Sequence, residues 1–204
     1  MIAGPVTAIC GANGYIISAI GQRIFIWSLK GTSLIGVAFL DVQIYVHQLT
    51  SIKDLILVAD IQRSVSICRF QEKYRTLSLV SQDPNQMHTY AAEFCVDGSS
   101  LTVAVTDIGQ DFHIFQFDAD YYFSAFGNRL VRRMECNLGQ FVTNMFRFRC
   151  AAWYPDSERV ANLALTKKHL TMFVTLDLNS SASVSLRSFF CVERRSLFAS
   201  ATVF

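Results

Sequence analysis

Apolar residues along this chain fall in short runs, four to eight positions long, bounded by Gly, Asp, Asn or Ser. Runs of that length, rich in β-branched and aromatic residues, predict strands. The pattern predicts them at Val6–Cys10, Tyr15–Ile20, Arg23–Leu29, Leu34–Leu40, Gln43–Leu49, Asp54–Ala59 and Ser64–Phe70. Thr76–Ser81, His88–Val96, Leu101–Thr106 and Asp111–Phe117 continue the series. Gly21-Gln22 is a two-residue connection, and Asp97-Gly98 is a hairpin turn signal. No segment before residue 119 carries helical periodicity. Several runs are apolar without interruption, which predicts strands covered on both faces, as in stacked sheets.

One layout repeats. An apolar strand ends in a small residue, a tight polar turn follows, and an alternating strand returns. It occurs at Ile16–Ile20 with Arg23–Trp27, at Leu55–Ala59 with Ser64–Cys68, and at Leu101–Val105 with Phe112–Phe115. A weaker copy joins Leu170–Thr175 to Ser183–Leu186. Aligning Ile26, Ile67 and Ile114 gives spacings of 41 and 47 residues, the period of a β-propeller blade. The expectation is an all-β chain, a partial β-propeller of about four to five WD40-like, four-stranded blades with an irregular C-terminal tail. Residues 1–177 form the propeller segment, with an insertion loop near 119–128 and an irregular stretch near 151–166. Residues 178–204 follow as an apolar tail without turn logic, open to being non-native.

Composition sharpens this. The chain is 51% apolar and 17% charged, against about 25% charged in typical domains. Low charge and high hydrophobicity exclude intrinsic disorder. No run approaches the roughly 20 apolar residues of a membrane span, and Met1–Pro5 lacks the features of a signal peptide. About four to five blades fall short of a seven-bladed ring, which needs roughly 280 residues. An open stack exposes blade faces and sheet edges, so the isolated chain is expected to be poorly soluble.

Catalytic motifs are missing from the sequence: there is no GxSxG, HExxH or Walker A run. Gly11-Ala12-Asn13-Gly14 is a turn between strands with no helix behind it to cradle a phosphate. The six cysteines (Cys10, Cys68, Cys95, Cys136, Cys150 and Cys191) form no CxxC pair and read as free thiols. His47, His88, His113 and His169 are scattered, and Asp118 with Asp120 reads as a pair of loop acids. No catalytic, cofactor or metal residues are therefore expected, and the chain is expected not to be an enzyme. The net charge of +2 is weak, but arginines cluster at Arg129, Arg132 and Arg133 and again at Arg147 and Arg149. The second group alternates with Phe146 and Phe148, a pattern that suits base stacking and equally an amphipathic strand. These five arginines are the candidate contacts for RNA or a protein partner.

Longer runs carry a family resemblance. Gly4–Cys10, Ser18–Leu29, Phe39-Leu40-Asp41, Ile44–Gln48, Leu57–Asp60, Thr76–Ser81 and Ser124–Arg133 closely resemble the family of the largest subunit of the cleavage and polyadenylation specificity factor. The resemblance covers residues 4–150, and Lys168–Asp177 more loosely. It implies a nuclear scaffold subunit of the pre-mRNA 3′-end cleavage and polyadenylation complex, docking the other subunits and associating with pre-mRNA. It implies neither a membrane nor a small-molecule substrate. The same tri-propeller family includes a damaged-DNA-binding, ubiquitin-ligase adaptor and a splicing-factor subunit, which are the alternatives. Gln22–Leu29 and Val46-His47-Gln48 favour the polyadenylation factor. After Asp177 this chain departs from the family pattern, which points to a fragment.

Overall fold

Asn13 and Gly14 both adopt positive φ, 50° and 80°. That is the requirement of a type I′ hairpin turn, whose twist matches the strands it joins. It connects β1 (Val6–Ala12) to β2 (Tyr15–Ile20), and β3 (Arg23–Lys30) and β4 (Ser33–Asp41) complete an antiparallel meander in the order β1-β2-β3-β4. The computed structural model describes residues 4–42, 44–97, 100–118, 128–139 and 141–149, and the backbone of 169–176, 184–190 and 197–198.

The same meander recurs three times. β5 (Val46–Ile52), β6 (Leu55–Asp60), β7 (Ser64–Gln71) and β8 (Thr76–Gln82) form the second sheet. β9 (Thr89–Asp97), β10 (Ser100–Asp107), β11 (Asp111–Phe117) and β12 (Val131–Asn137) form the third. The fourth is β13 (Val142–Arg149), β14 (His169–Leu176), β15 (Val184–Phe190) and β16 (Leu197–Phe198). The first strands of successive sheets, β1, β5, β9 and β13, lie side by side. This is a partial β-propeller of four blades, with no helix among the described residues.

The repeat read from the sequence has a structural marker. The third strand of each of the first three sheets carries a register shift immediately after the aligned residue, at Ile26/Trp27, Ile67/Cys68 and Ile114/Phe115. A bulge at one fixed point bends the outer strand of each of these three blades in the same way. The inner strands are bulged as well, between Val6 and Ala8 and between Val46 and Gln48.

Each sheet is buried on both faces where neighbours exist. Ile17, Ile24 and Ile26 of the first sheet meet Leu49, Ile56, Cys68 and Phe70 of the second. Leu57, Ala59 and Ile67, on the second sheet's other face, meet Phe94, Val103 and Phe115 of the third. Ala91, Ala104 and Phe112 then meet Val142 and Met145. This two-sided burial is why β6 reads as an uninterrupted apolar run, and removing such area from water is the main stabilising term.

Strands occupy part of the tail: Leu176 pairs with Val184 and Val174 with Leu186, as the repeat predicts, and Phe190 pairs with Leu197. The remainder of 178–204, the stretch 151–166 and residues 119–127 of the expected insertion lie outside the described residues. One boundary moves. The predicted strand Gln43–Leu49 runs instead from Val46 to Ile52. The Asp60 carboxylate accepts N–H bonds from Ile44 (3.3 Å) and Tyr45 (2.8 Å) and holds them out of the ladder.

Candidate docking surfaces

Blade edges are tied by side chains that bond to the backbone of the next sheet. Thr7, the extra residue of the β1 bulge, donates from Oγ1 to the carbonyl of Val46. His47, at the same point of β5, donates from Nε2 to the carbonyl of Tyr90, 2.9 Å away. Ser51 Oγ donates back to Gly11 O at 2.6 Å, and Ala92 N–H donates to Gln48 Oε1 at 2.9 Å. His47 therefore has a bonding role, as a structural histidine should.

The buried acids Asp60 and Asp83 and the half-buried Asp107 are occupied in the same manner. Asp60 Oδ1 accepts the N–H groups of Gln62 (2.9 Å) and Arg63 (3.2 Å) in addition to the two on Oδ2. Asp83 takes Ser64 Oγ–H at 2.6 Å and Asn85 N–H at 3.1 Å. Asp107 accepts Asp111 N–H at 2.9 Å and the Nε2–H of buried His113 at 3.3 Å. These carboxylates close turns at one end of the blades. Asp60 and Asp83 also line a groove of about 210 Å³ between the first two sheets, with Leu40, Val42, Leu79 and Arg63.

Among the described residues no group of three His, Cys, Asp or Glu side chains is placed to hold a metal ion. Cys10, Cys68, Cys95 and Cys136 are free thiols. Burial pushes the Cys10 thiol up to about 11, against a smaller opposing effect of the hydrogen bond from Ser51. Burial alone pushes Cys68 to about 12. Neither is an activated thiolate. Tyr15 is raised by donating its hydroxyl to Glu72, 3.1 Å away. Cys150, Cys191 and Asp120 lie outside the described residues.

The predicted arginines divide into two places. Arg129, Arg132 and Arg133 are exposed on and before β12, the outermost strand of the third sheet. Arg129 forms a parallel bridge with Gln82 of the second sheet, where Gln82 N–H donates to Asn128 O and Leu130 N–H to Gln82 O. Arg132 stacks 5.6 Å above the Phe115 ring and pairs with Glu135 at 3.0 Å, while Arg133 Nε donates to Gln116 Oε1 at 2.8 Å. Arg147 and Arg149 belong to β13, the innermost strand of the fourth sheet. The two groups are therefore not brought together. The outward face of the first sheet, where Ile9 and Phe39 are exposed, is an open blade face of the kind the sequence leads one to expect, though the sequence did not say which sheet carries it. Its signal was present in the alternation of Arg23, Phe25, Trp27 and Leu29 along one strand.

The described residues form a stack of four-stranded blades whose turn carboxylates are held by hydrogen bonds. The chain belongs to the family described as the CPSF A subunit region, whose model matches residues 1–177. It is 41% identical over 174 residues to cleavage and polyadenylation specificity factor subunit 1 of Drosophila melanogaster, covering 85% of this chain and 12% of that protein. Against the probable subunit 1 of Caenorhabditis elegans it is 32% identical over 177 residues, with the same shares. Against protein cft1 of Aspergillus fumigatus it is 33% identical over 150 residues, 71% of this chain and 11% of that protein. The chain thus spans about an eighth of the length of these curated relatives.

Proposed function

We propose that this chain is a propeller segment of a scaffold subunit in the nuclear machinery that cleaves and polyadenylates pre-mRNA. The observation that carries this reading is the family match over residues 1–177, joined to relatives named as specificity-factor subunits. The blade architecture supports it, because rigid sheets hold loops and faces in fixed positions for other subunits. The segment docks protein partners and performs no chemistry of its own. RNA contact belongs to Arg129, Arg132 and Arg133, the exposed cations on and before the outer strand.

Retention of other subunits of the complex from nuclear extract is the test of docking. Recovery of none of them, or preferential recovery of a cullin scaffold, would count against the assignment. RNA contact is read separately from the salt dependence of binding. Changing Arg129, Arg132 and Arg133 to Ala lowers the slope of log affinity against log salt by roughly 0.7 for every single-strand phosphate that these arginines neutralise. An unchanged slope would remove them from the interface.

A further inference from the structure

Among the described residues, most of the large apolar side chains left exposed on the second and third sheets gather at one end of the strands. Tyr45, Ile61, Tyr90 and Ile108 lie there, 42%, 43%, 43% and 59% exposed; Tyr74 and Leu79 lie elsewhere. Backbone bonds join these turns and links into one strip. Ile61 N–H donates to Tyr45 O at 3.0 Å, and Ile108 N–H donates to His88 O at 3.1 Å. His88 Nδ1–H donates to Ile61 O at 3.1 Å and ties the two pairs together. Tyr90 follows at the start of β9, its ring 6.2 Å from that of Phe141.

The strip is built from a repeat. Asp60-Ile61-Gln62-Arg63 and Asp107-Ile108-Gly109-Gln110 are equivalent turns, each joining the second strand of a sheet to the third. In each the aspartate closes the turn, Asp60 Oδ1 on the amides of Gln62 and Arg63 and Asp107 Oδ1 on that of Asp111. The first sheet makes the same connection through Gly21-Gln22, with no apolar side chain. Turn geometry therefore does not call for isoleucine, and exposed turns favour small and polar residues. A contiguous apolar strip at such a place marks a contact surface. It is not a stacking surface between blades, because a blade added to the array covers a sheet face and leaves the strand ends open.

Charge and size say what covers it. Residues 60–63, 83–88 and 107–111 carry the carboxylates of Asp60, Asp83, Asp107 and Asp111 against a single guanidinium, that of Arg63. Backbone amides satisfy the oxygens of these acids without cancelling their charge. The field at this end is negative, which repels phosphate and attracts Lys and Arg. The four apolar side chains expose roughly 400 Å². That is about half of the ~800 Å² that each side of a standard interface buries, which suits a short segment and not a second globular face.

We propose that this turn end of the second and third sheets docks a separate protein chain through a short segment whose apolar residues are flanked by Lys or Arg. The apolar residues of that segment pack on Ile61 and Ile108, and its cations face the turn carboxylates. This rests on the docking role proposed above and adds to it the place and the chemistry of the docked segment.

The test uses the full chain and a short labelled peptide of leucines between paired lysines, read by fluorescence anisotropy. The wild-type chain binds it, and Ile61→Ser with Ile108→Ser weakens binding about 10-fold or more. Arg63→Ser removes the one cation of these turns and tightens binding about twofold to threefold. Tyr74→Ser, on an exposed turn at the other end of β7, leaves it unchanged. All four positions are exposed, so the thermal midpoints stay close to that of the wild type. A wild-type chain that does not bind, a double serine variant that binds as tightly, or equal binding of a peptide with glutamates for lysines overturns the proposal. In nuclear extract, a photoreactive phenylalanine in place of Ile108 crosslinks to an apolar, Lys- or Arg-flanked segment of another protein, identified by mass spectrometry. A crosslink to RNA, to an acidic segment or to the same polypeptide overturns the proposal, as does none at all while other subunits are retained. Retention of no subunit counts instead against the docking role, and the peptide measurement then decides this proposal by itself.

Discussion

Removing the Asp60 carboxylate should uncouple the first blade from the second. Its two oxygens accept four backbone N–H groups, Ile44 (3.3 Å), Tyr45 (2.8 Å), Gln62 (2.9 Å) and Arg63 (3.2 Å), and the side chain is buried. Ile44 and Tyr45 lie on the link from the first sheet, and Gln62 and Arg63 on the β6–β7 turn, so one side chain holds both. A hydrogen bond to a charged group contributes roughly 1.5–3 kcal/mol. Water can reach the exposed donors Tyr45, Gln62 and Arg63 in the variant, which returns part of that energy. Counting only the two short bonds, Asp60→Ala should cost about 3–4 kcal/mol. Asp60→Asn keeps one acceptor oxygen and should cost roughly half of that. At about 2–4 °C per kcal/mol for a chain of this size, the Ala variant melts roughly 6–16 °C lower. Urea unfolding followed by far-UV circular dichroism reads the loss directly. A change below about 1 kcal/mol for Asp60→Ala, or equal losses for Ala and Asn, would refute the idea that this carboxylate is a staple.

Three other outcomes are expected. Phe94→Ala and Phe115→Ala, in the core between the second and third sheets, should each cost about 3–5 kcal/mol by denaturant unfolding, whereas Tyr74→Ala on an exposed turn should change stability by less than about 0.5 kcal/mol. Stability should fall as pH rises above about 9, because Cys10 and Cys68 hold their protons to about 11 and 12 when folded while the unfolded thiols ionise near 9. The unfolded state binds fewer protons in that window, so the sign is a loss with rising pH; Cys68→Ala should reduce it in alkaline melts. At neutral pH the Cys68 thiol should react with a disulfide reagent only as fast as the chain opens, which a stopped-flow comparison with the denatured chain measures.

Much of the blade order was legible in the residues because strand length and turn chemistry are local. Ile26, Ile67 and Ile114 could be aligned by pattern, and a bulge follows each of them. What was not legible depends on contacts between distant residues. The start of β5 moved from Gln43 to Val46 because Asp60, well over a strand's length away in sequence, claims the intervening amides. Arg132 and Arg149 belong to one set of candidate contacts in the sequence, yet they sit on the outermost strand of one sheet and the innermost of the next. Sequence proximity says little about adjacency when each blade runs from its inner edge to its outer edge before the next begins. Exposed blade faces were expected, but which sheet would carry one was not legible for a related reason: two-sided burial and one-sided exposure give the same apolar strand pattern, and only the neighbour decides between them.

The bulged inner strands have a consequence for how order spreads through the molecule. Thr7 completes its bonding on the backbone of β5, and His47 on the backbone of β9. Each blade thus supplies part of the template on which the following one is registered. In such a one-dimensional array stability is a sum of unit terms and nearest-neighbour couplings. Loss of order should therefore pass from one sheet to the next through β5 and β9. Amide exchange would then grade along the array, slowest at β6 and β10, where a sheet is held from both sides.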